Sequence, residues 1–206
     1  MPDEARDEAA GSPPAAPKPR AVRADAQRSI DALLVAAKAV FATSGVDAPV
    51  REIADKAGVG IGTLYRNFPQ RADLVAAVFR REIDACAEAA PQLAAEYPPG
   101  EALERWIQRY VAFIATKRGL ASALYSGSPV FEALPAYFQQ RLQPAFQSLV
   151  ETAVAAGEIR AGLDCEALLG AIASLSSSRY QSSPEAAQRM VSLLIDGLRY
   201  GRTPSA

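Results

Sequence analysis

Residues 60–71 contain hydroxyl, amide and guanidinium side chains of the kinds that can bond base edges or phosphates. We expect Thr63, Arg66 and Asn67 to face outward from a helix here, and side chains of these types make base and phosphate contacts in DNA complexes. The stretch therefore indicates DNA binding. The predicted DNA-contacting residues are Arg51, Gly60, Thr63, Tyr65, Arg66, Asn67 and Arg71.

Two short helices joined by a glycine turn are predicted to position these side chains. From Val50 to Ala57 the apolar residues recur at i, i+3, i+4 and i+7, the spacing of one helix face. Gly58 supplies the backbone freedom of a tight turn, and a second helix opens at Gly60. Its inward face is predicted to hold Ile61, Leu64, Tyr65 and Phe68. This plan is that of a helix-turn-helix, although any small helical protein can contain helix, glycine turn and helix.

The same stretch resembles the DNA-binding domain of TetR-type bacterial repressors over roughly residues 26–80. The chain departs from the family pattern at Gly60, where a serine is common, at Asn67, where histidine is frequent, and at Arg71, where lysine is frequent. The resemblance implies a homodimer that binds double-stranded operator DNA and releases it when a small-molecule ligand binds. It is carried by Ala57-Gly58-Val59, Gly62-Thr63-Leu64-Tyr65, Phe68, Arg71 and Asp73, and extends back through Ile30, Ala36, Phe41 and Gly45.

Charge and composition agree with a DNA-binding protein and argue against an enzyme. The formal net charge is −1, but residues 18–81 carry +5 while the segments on either side carry −3 each. A basic excess around the motif suits phosphate binding, although a patch of +5 is also ordinary for solvated surface. The chain has no histidine and no dinucleotide, Walker or nucleophile-elbow pattern. We therefore expect no catalytic residue, metal or cofactor, with a carboxylate-only active site left as the alternative.

The periodicity predicts an all-α fold, which follows a flexible, proline-rich arm at residues 1–22. The resemblance implies a helix-turn-helix domain at 23–80 and a ligand-binding and dimerisation domain at 81–206. Asp47 is a candidate cap near the first helix of the motif. Pro91 is expected to end the fourth helix, and Pro144 to bend or split a long one. The predicted helices outside the motif span residues 25–43, 71–90, 101–117, 120–125, 136–156, 165–178 and 184–200.

The last two predicted helices carry apolar stripes that suit a dimer interface, because a helix-turn-helix is normally read as a pair. The alternative is that these stripes close a monomer core. The predicted interface residues are Leu168, Ile172, Leu175, Met190, Val191, Leu194 and Leu198.

Aromatic residues concentrate between the motif and these helices, where the resemblance implies a pocket for a largely apolar ligand. Most of these rings are expected to be ordinary core. The predicted ligand-binding residues are Trp106, Arg109, Tyr110, Phe113, Tyr137 and Arg141. The rival function is an enzyme or ligand carrier that uses the C-terminal helices and keeps a vestigial DNA-binding head.

The sequence shows no signal peptide and no long apolar span, which predicts a cytoplasmic protein without membrane contact. Cys86 and Cys165 are the only cysteines. Isolated cysteines in helices usually behave as small buried hydrophobic residues, so we favour that role over a disulfide or redox switch.

Overall fold

The computed structural model of the chain is all-helical in the part that it describes, residues 19–120, 124, 127–177 and 184–199, with the backbone alone described at 19–23, 116–119, 177, 184–185 and 187. A short 3₁₀ turn, Pro129–Phe131, precedes the sixth helix. The helices are α1 Pro19–Ser44, α2 Val50–Ala57, α3 Ile61–Asn67, α4 Arg71–Glu96, α5 Pro99–Gly119, α6 Leu134–Ala155, α7 Cys165–Ser177 and α8 Pro184–Arg199.

The helix-turn-helix is confirmed, with the predicted bounds of its first helix. Gly58 ends α2 in the left-handed region at φ +69°, and its N–H donates to the carbonyls of α2. Only glycine adopts this backbone without strain, which explains its place in the turn. On α3, Leu64 and Phe68 are buried as predicted, but Tyr65 is 50% exposed and does not belong to the inward face.

The long helix α4 differs from the prediction because it continues through Pro91 to Glu96. A proline inside a helix costs about 3 kcal/mol through a lost hydrogen bond and a steric clash. Pro91 itself is exposed, while the apolar side of the helix around it is buried at Ala90 and half-buried at Leu93. Burial of that side favours continuation, and the helix ends only at Tyr97, before Pro98.

Two further expectations about local structure are wrong, and of the two alternatives given for Pro144, a bend or a split, the split is wrong. The helix α1 begins at Pro19 rather than Asp25, so the proposed arm is helical from residue 19 onward; proline suits a first helical turn because its N–H is not needed there. Asp47 does not cap α2, whose N-cap is Pro49 with no side-chain hydrogen bond. Pro144 does not split its helix, since α6 is continuous from Leu134 to Ala155. Residues 1–18, and most of the helix predicted at 120–125, lie outside the described residues.

In the body of the protein α5 and α6 pack on α4, α7 packs on α5 and α6, and α8 packs on α7. Its centre is an aromatic cluster in which Trp106 stacks on Tyr110 and Phe146, with ring centroids 5.6 and 5.3 Å apart. The buried Trp106 indole donates its Nε1–H to the Cys86 carbonyl at 2.9 Å, which ties α5 to α4. The polar atom of the largest buried ring is thereby satisfied.

Candidate functional site

The exposed face of α3 is the first candidate functional surface. Tyr65 projects from it with half of its surface accessible. Tyrosine is enriched at interfaces because its ring is apolar and its hydroxyl is polar. Arg66 and Asn67 are exposed, but each donates to its own helix, Nε to the Gly62 carbonyl at 3.2 Å and Nδ2 to the Thr63 carbonyl at 2.8 Å. Arg66 keeps the terminal nitrogens of its guanidinium for other partners.

Arg71 has a different environment from the one that the sequence predicted. It is half-buried, and its Nη1 donates to the carbonyls of Val46 and Ala48, the latter at 2.8 Å. These carbonyls belong to the loop that leads from α1 into α2. Arg71 therefore braces this loop from the first turn of α4, and a capping box between Gln70 and Asp73 fixes that turn.

Two ion pairs join α4 to α1 in the head of the molecule. Lys38 Nζ lies 2.6 Å from Glu82 Oε2, and Arg81 Nη1 lies 3.1 Å from Asp31 Oδ1. Because these side chains are partly exposed, each pair contributes little stability. The position of these pairs matters more than their energy, because two adjacent residues of α4, Arg81 and Glu82, both hold α1.

One turn further along, Asp84 holds α4 to α6. Its carboxylate accepts the Tyr137 hydroxyl at 2.7 Å and the Arg141 Nε–H at 2.7 Å. Burial, and then the hydrogen bond to Asp84, raise the pKa of Tyr137, so the phenol stays protonated. Tyr137 and Arg141 thus form a contact between helices.

A mostly apolar cavity of about 450 Å³ lies beside α4, and its volume is within the range of small-molecule sites. Its walls are mostly apolar, with two carboxamides and one carboxylate among them. The described lining residues are Phe79, Tyr110, Ile114, Leu124, Phe131, Leu134, Pro135, Phe138, Gln139, Gln143, Glu166, Leu169, Gly170 and Ala173.

Of the six predicted ligand-binding residues, only Tyr110 lines this cavity. Trp106 lies behind it in the core, and Arg109 and Phe113 border a recess of about 210 Å³ between α1, α4 and α5. The prediction missed two polar residues of the cavity wall, Gln139 and Gln143, which lie one turn apart on α6.

The burial of α7 and α8 corrects the predicted interface in part. Four of its residues are at most 8% exposed within a single chain, because the apolar stripes of both helices face their own core. Leu175 and Leu194 are half-buried. The exposed apolar side chains on α8 are Met190 at 43% and Leu193 at 62%, the second of which the sequence analysis did not select. The four buried residues are Leu168, Ile172, Val191 and Leu198.

In the described part of the chain, no helix is long and apolar enough to cross a membrane. Within the same residues, no group of three or more histidine, cysteine or carboxylate side chains is arranged to hold a metal ion.

Two family models match the sequence. Residues 33–78 match the model described as bacterial regulatory proteins of the tetR family, and residues 98–200 match the C-terminal domain of SbtR-like transcriptional regulators. Together they cover both the helix-turn-helix and the helices around the cavity. No curated protein matches the sequence.

Solved structures of similar proteins share the whole architecture. A TetR transcriptional regulator from Streptomyces coelicolor is 38% identical, with a TM-score of 0.72 over 82% of this chain and 98% of its own. A TetR transcription regulatory protein from Mycobacterium vanbaalenii is 34% identical, with a TM-score of 0.69 over 86% and 99%. A gamma-butyrolactone receptor, 22% identical, shares the fold at a TM-score of 0.58 over 84% and 90%.

Proposed function

The chain is a member of the TetR family of bacterial transcriptional regulators, and on that premise we propose that it is a repressor released from its operator by a small molecule. Family membership makes it a DNA-binding regulator of transcription, and the rival reading as an enzyme or carrier is not favoured. We further propose that residues 23–80 form the DNA-binding domain, that residues 81–206 bind ligand and the second subunit, and that the protein works in the cytoplasm.

The observation that carries the proposal is the course of α4. This one helix begins at the DNA-binding head, pairs with α1 through Arg81 and Glu82, and places Phe79 in the cavity wall. A ligand that displaces Phe79 displaces residues within one turn of both ion pairs. Because helices are stiff and close-packed, such a shift passes to the head as a rigid movement.

For the DNA contact we propose the exposed face of α3, with Tyr65 as its central side chain and Thr63, Arg66 and Asn67 beside it. The half-exposed ring of Tyr65 and the exposure of Arg66 and Asn67 support this. Arg51, exposed on α2, is proposed as a phosphate contact. Gly60 precedes α3 and offers its backbone to a phosphate without a side chain in the way.

For release, the ligand must bind the DNA-free arrangement more tightly than the DNA-bound one, and by reciprocity operator DNA must weaken ligand binding. Two heads that read half-sites one DNA turn apart, about 34–36 Å, tolerate little relative displacement. We therefore expect a small shift of α4 to suffice for release, with the two subunits held together throughout.

The test is binding to genomic DNA fragments that the protein enriches, followed by fluorescence anisotropy on a short duplex. Tyr65→Ala should weaken operator binding by about 1–3 kcal/mol, the usual loss for one contact in a protein–DNA interface, and should leave thermal stability unchanged because the ring is exposed.

Tyr65→Phe, which keeps the ring and removes the hydroxyl, separates the two contributions of Tyr65. Unchanged affinity in Tyr65→Ala would contradict the proposed DNA face. A wild-type protein that enriches no fragment at all would contradict the proposed repressor.

A further inference from the structure

The described residues of the cavity wall carry negative formal charge and no positive charge. Among the described residues that line it, Glu166 is the only one with a formal charge at neutral pH, and none is lysine or arginine. Glu166 is exposed at the start of α7, and no described cation pairs with it. A carboxylate without a counter-ion beside an apolar wall attracts a cation and repels an anion.

Aromatic rings make up much of the remaining wall. Phe79, Tyr110, Phe131 and Phe138 all line the cavity, with the Tyr110 and Phe138 centroids 6.2 Å apart and tilted by 44°. Ring faces carry a negative quadrupole and attract ammonium groups, including quaternary ones that donate no hydrogen bond. The rings therefore suit the apolar body of a ligand and are compatible with an ammonium group, which the carboxylate attracts.

The other polar groups of the wall are neutral. Gln139 and Gln143 contribute carboxamides from successive turns of α6. Tyr110 is 1% exposed, and its hydroxyl makes no hydrogen bond with the described part of the chain. These groups can bond a polar atom of a ligand, but they supply no positive charge that would offset the repulsion of an anion by Glu166.

From these groups we propose that the cavity selects a lipophilic cation, with its apolar body among the rings and an ammonium group at the Glu166 edge. The inference rests on the proposed function, in which this cavity is the ligand site, and it adds the sign of the ligand's charge. Carboxylate, sulfate and phosphate ligands with the same apolar body bind more weakly. Because Glu166 stays partly hydrated, its pairing with the cation is of moderate strength.

The test compares three probes with one eight-carbon chain: octyltrimethylammonium, 1-octanol and octanoate, each below its aggregation concentration. Calorimetry should give the order cation, alcohol, anion, with roughly tenfold separating the first from the last. The fluorescence of Trp106 should report the same binding, because Trp106 stacks on Tyr110, which lines the cavity. Trp106 is the only tryptophan of the chain, so the signal has a single source.

Three variants locate the selectivity. Glu166→Gln should weaken the cation roughly fivefold and remove most of its preference over octanoate, whereas Glu151→Gln, which removes an equal charge outside the cavity wall, should change neither. Gly170→Leu should weaken the binding of all three probes, because its side chain occupies part of the cavity; a Cβ added at Gly170 meets no atom within 4 Å, so the helix accepts the side chain.

Octanoate binding as tightly as the cation, or an unchanged order of affinities in Glu166→Gln, would overturn the inference. So would cation binding that Gly170→Leu leaves unchanged, because the site would then lie elsewhere. Release of operator DNA is measured separately by anisotropy. A cation that binds the cavity with the expected selectivity and leaves the operator complex intact supports the inference and contradicts the proposed release mechanism.

Discussion

In the DNA-binding head, the exposed fraction of a side chain distinguishes a packing role from a contact role. Tyr65 is half exposed on α3, whereas Leu64 beside it is 1% exposed, so one helix both packs and presents a contact surface. The sequence could predict the segment but not the direction of Tyr65, because an amphipathic ring fits either face of a short helix. Arg71 was likewise ambiguous, since a guanidinium bonds carbonyl groups and phosphates equally well.

The variant Arg71→Ala distinguishes between two roles of Arg71, as a structural brace and as a phosphate contact. Loss of the bonds to Val46 and Ala48 should lower the thermal unfolding temperature and weaken operator binding, because α2 is no longer held in place. The slope of log affinity against log salt should stay unchanged. A lost phosphate contact would instead reduce that slope by about one unit and leave stability intact. Melting curves and binding at several salt concentrations decide between the two.

Cys86 should be inert in the folded protein. Burial raises the pKa of its thiol from 9.0 to about 12, against a smaller lowering by Arg109, so almost no thiolate forms at neutral pH. In a Cys165→Ser background, alkylation at pH 8 should be slow until the protein is unfolded.

The raised pKa of Cys86 also has a consequence for stability. The contribution of the Cys86 thiol to the free energy of unfolding is fully present below pH 9. It declines as the pH rises towards 12, because in that range the thiol ionises only in the unfolded protein. In the alkylation experiment, a rapid reaction of the native protein at pH 8 would contradict the burial of this thiol.

At the scale of elements, helix identity was predictable and helix ends were less so. The pattern that placed α2, α5, α7 and α8 is the 3.6-residue repeat of apolar side chains, which tertiary packing reinforces. The end predicted at Pro91 failed because packing outweighed the helical cost of proline, and the start predicted at residue 25 failed because Pro19 suits a first helical turn. The cavity was only partly predictable, because which rings fill a core and which border a space depends on how four helices meet.

Pro91→Ala should stabilise the protein, since it restores a backbone donor in the interior of α4 without loss of packing at an exposed site. The gain of about 3 kcal/mol in helix propensity is partly offset by greater freedom of the unfolded chain, which leaves about 2 kcal/mol. Pro98→Ala, in the break between α4 and α5, is the matched control and should give no such gain. Thermal unfolding measures both, and equal shifts would show that Pro91 carries no helical cost.

For the whole molecule, the exposed side of α8 decides how two copies can meet. A regulator with one helix-turn-helix per chain reads paired half-sites only as a dimer. Substitution at Leu198 would unfold the protomer, because that side chain is 3% exposed within a single chain. The informative positions are those that one chain leaves uncovered, and Leu193 is the most exposed large apolar residue in the described part of the protein.

Leu193→Glu should therefore dissociate the dimer and leave each protomer folded. A carboxylate buried in an apolar interface costs several kcal/mol unless it is paired, whereas the same side chain on the separated protomer stays in water. Operator affinity should fall with assembly, since a monomer binds a single half-site. Val35→Glu, which places the same charge at a 56% exposed position on α1, is the control for surface charge and should sediment as the wild type does. A folded Leu193→Glu protein that sediments as a dimer would move the interface away from this face of α8.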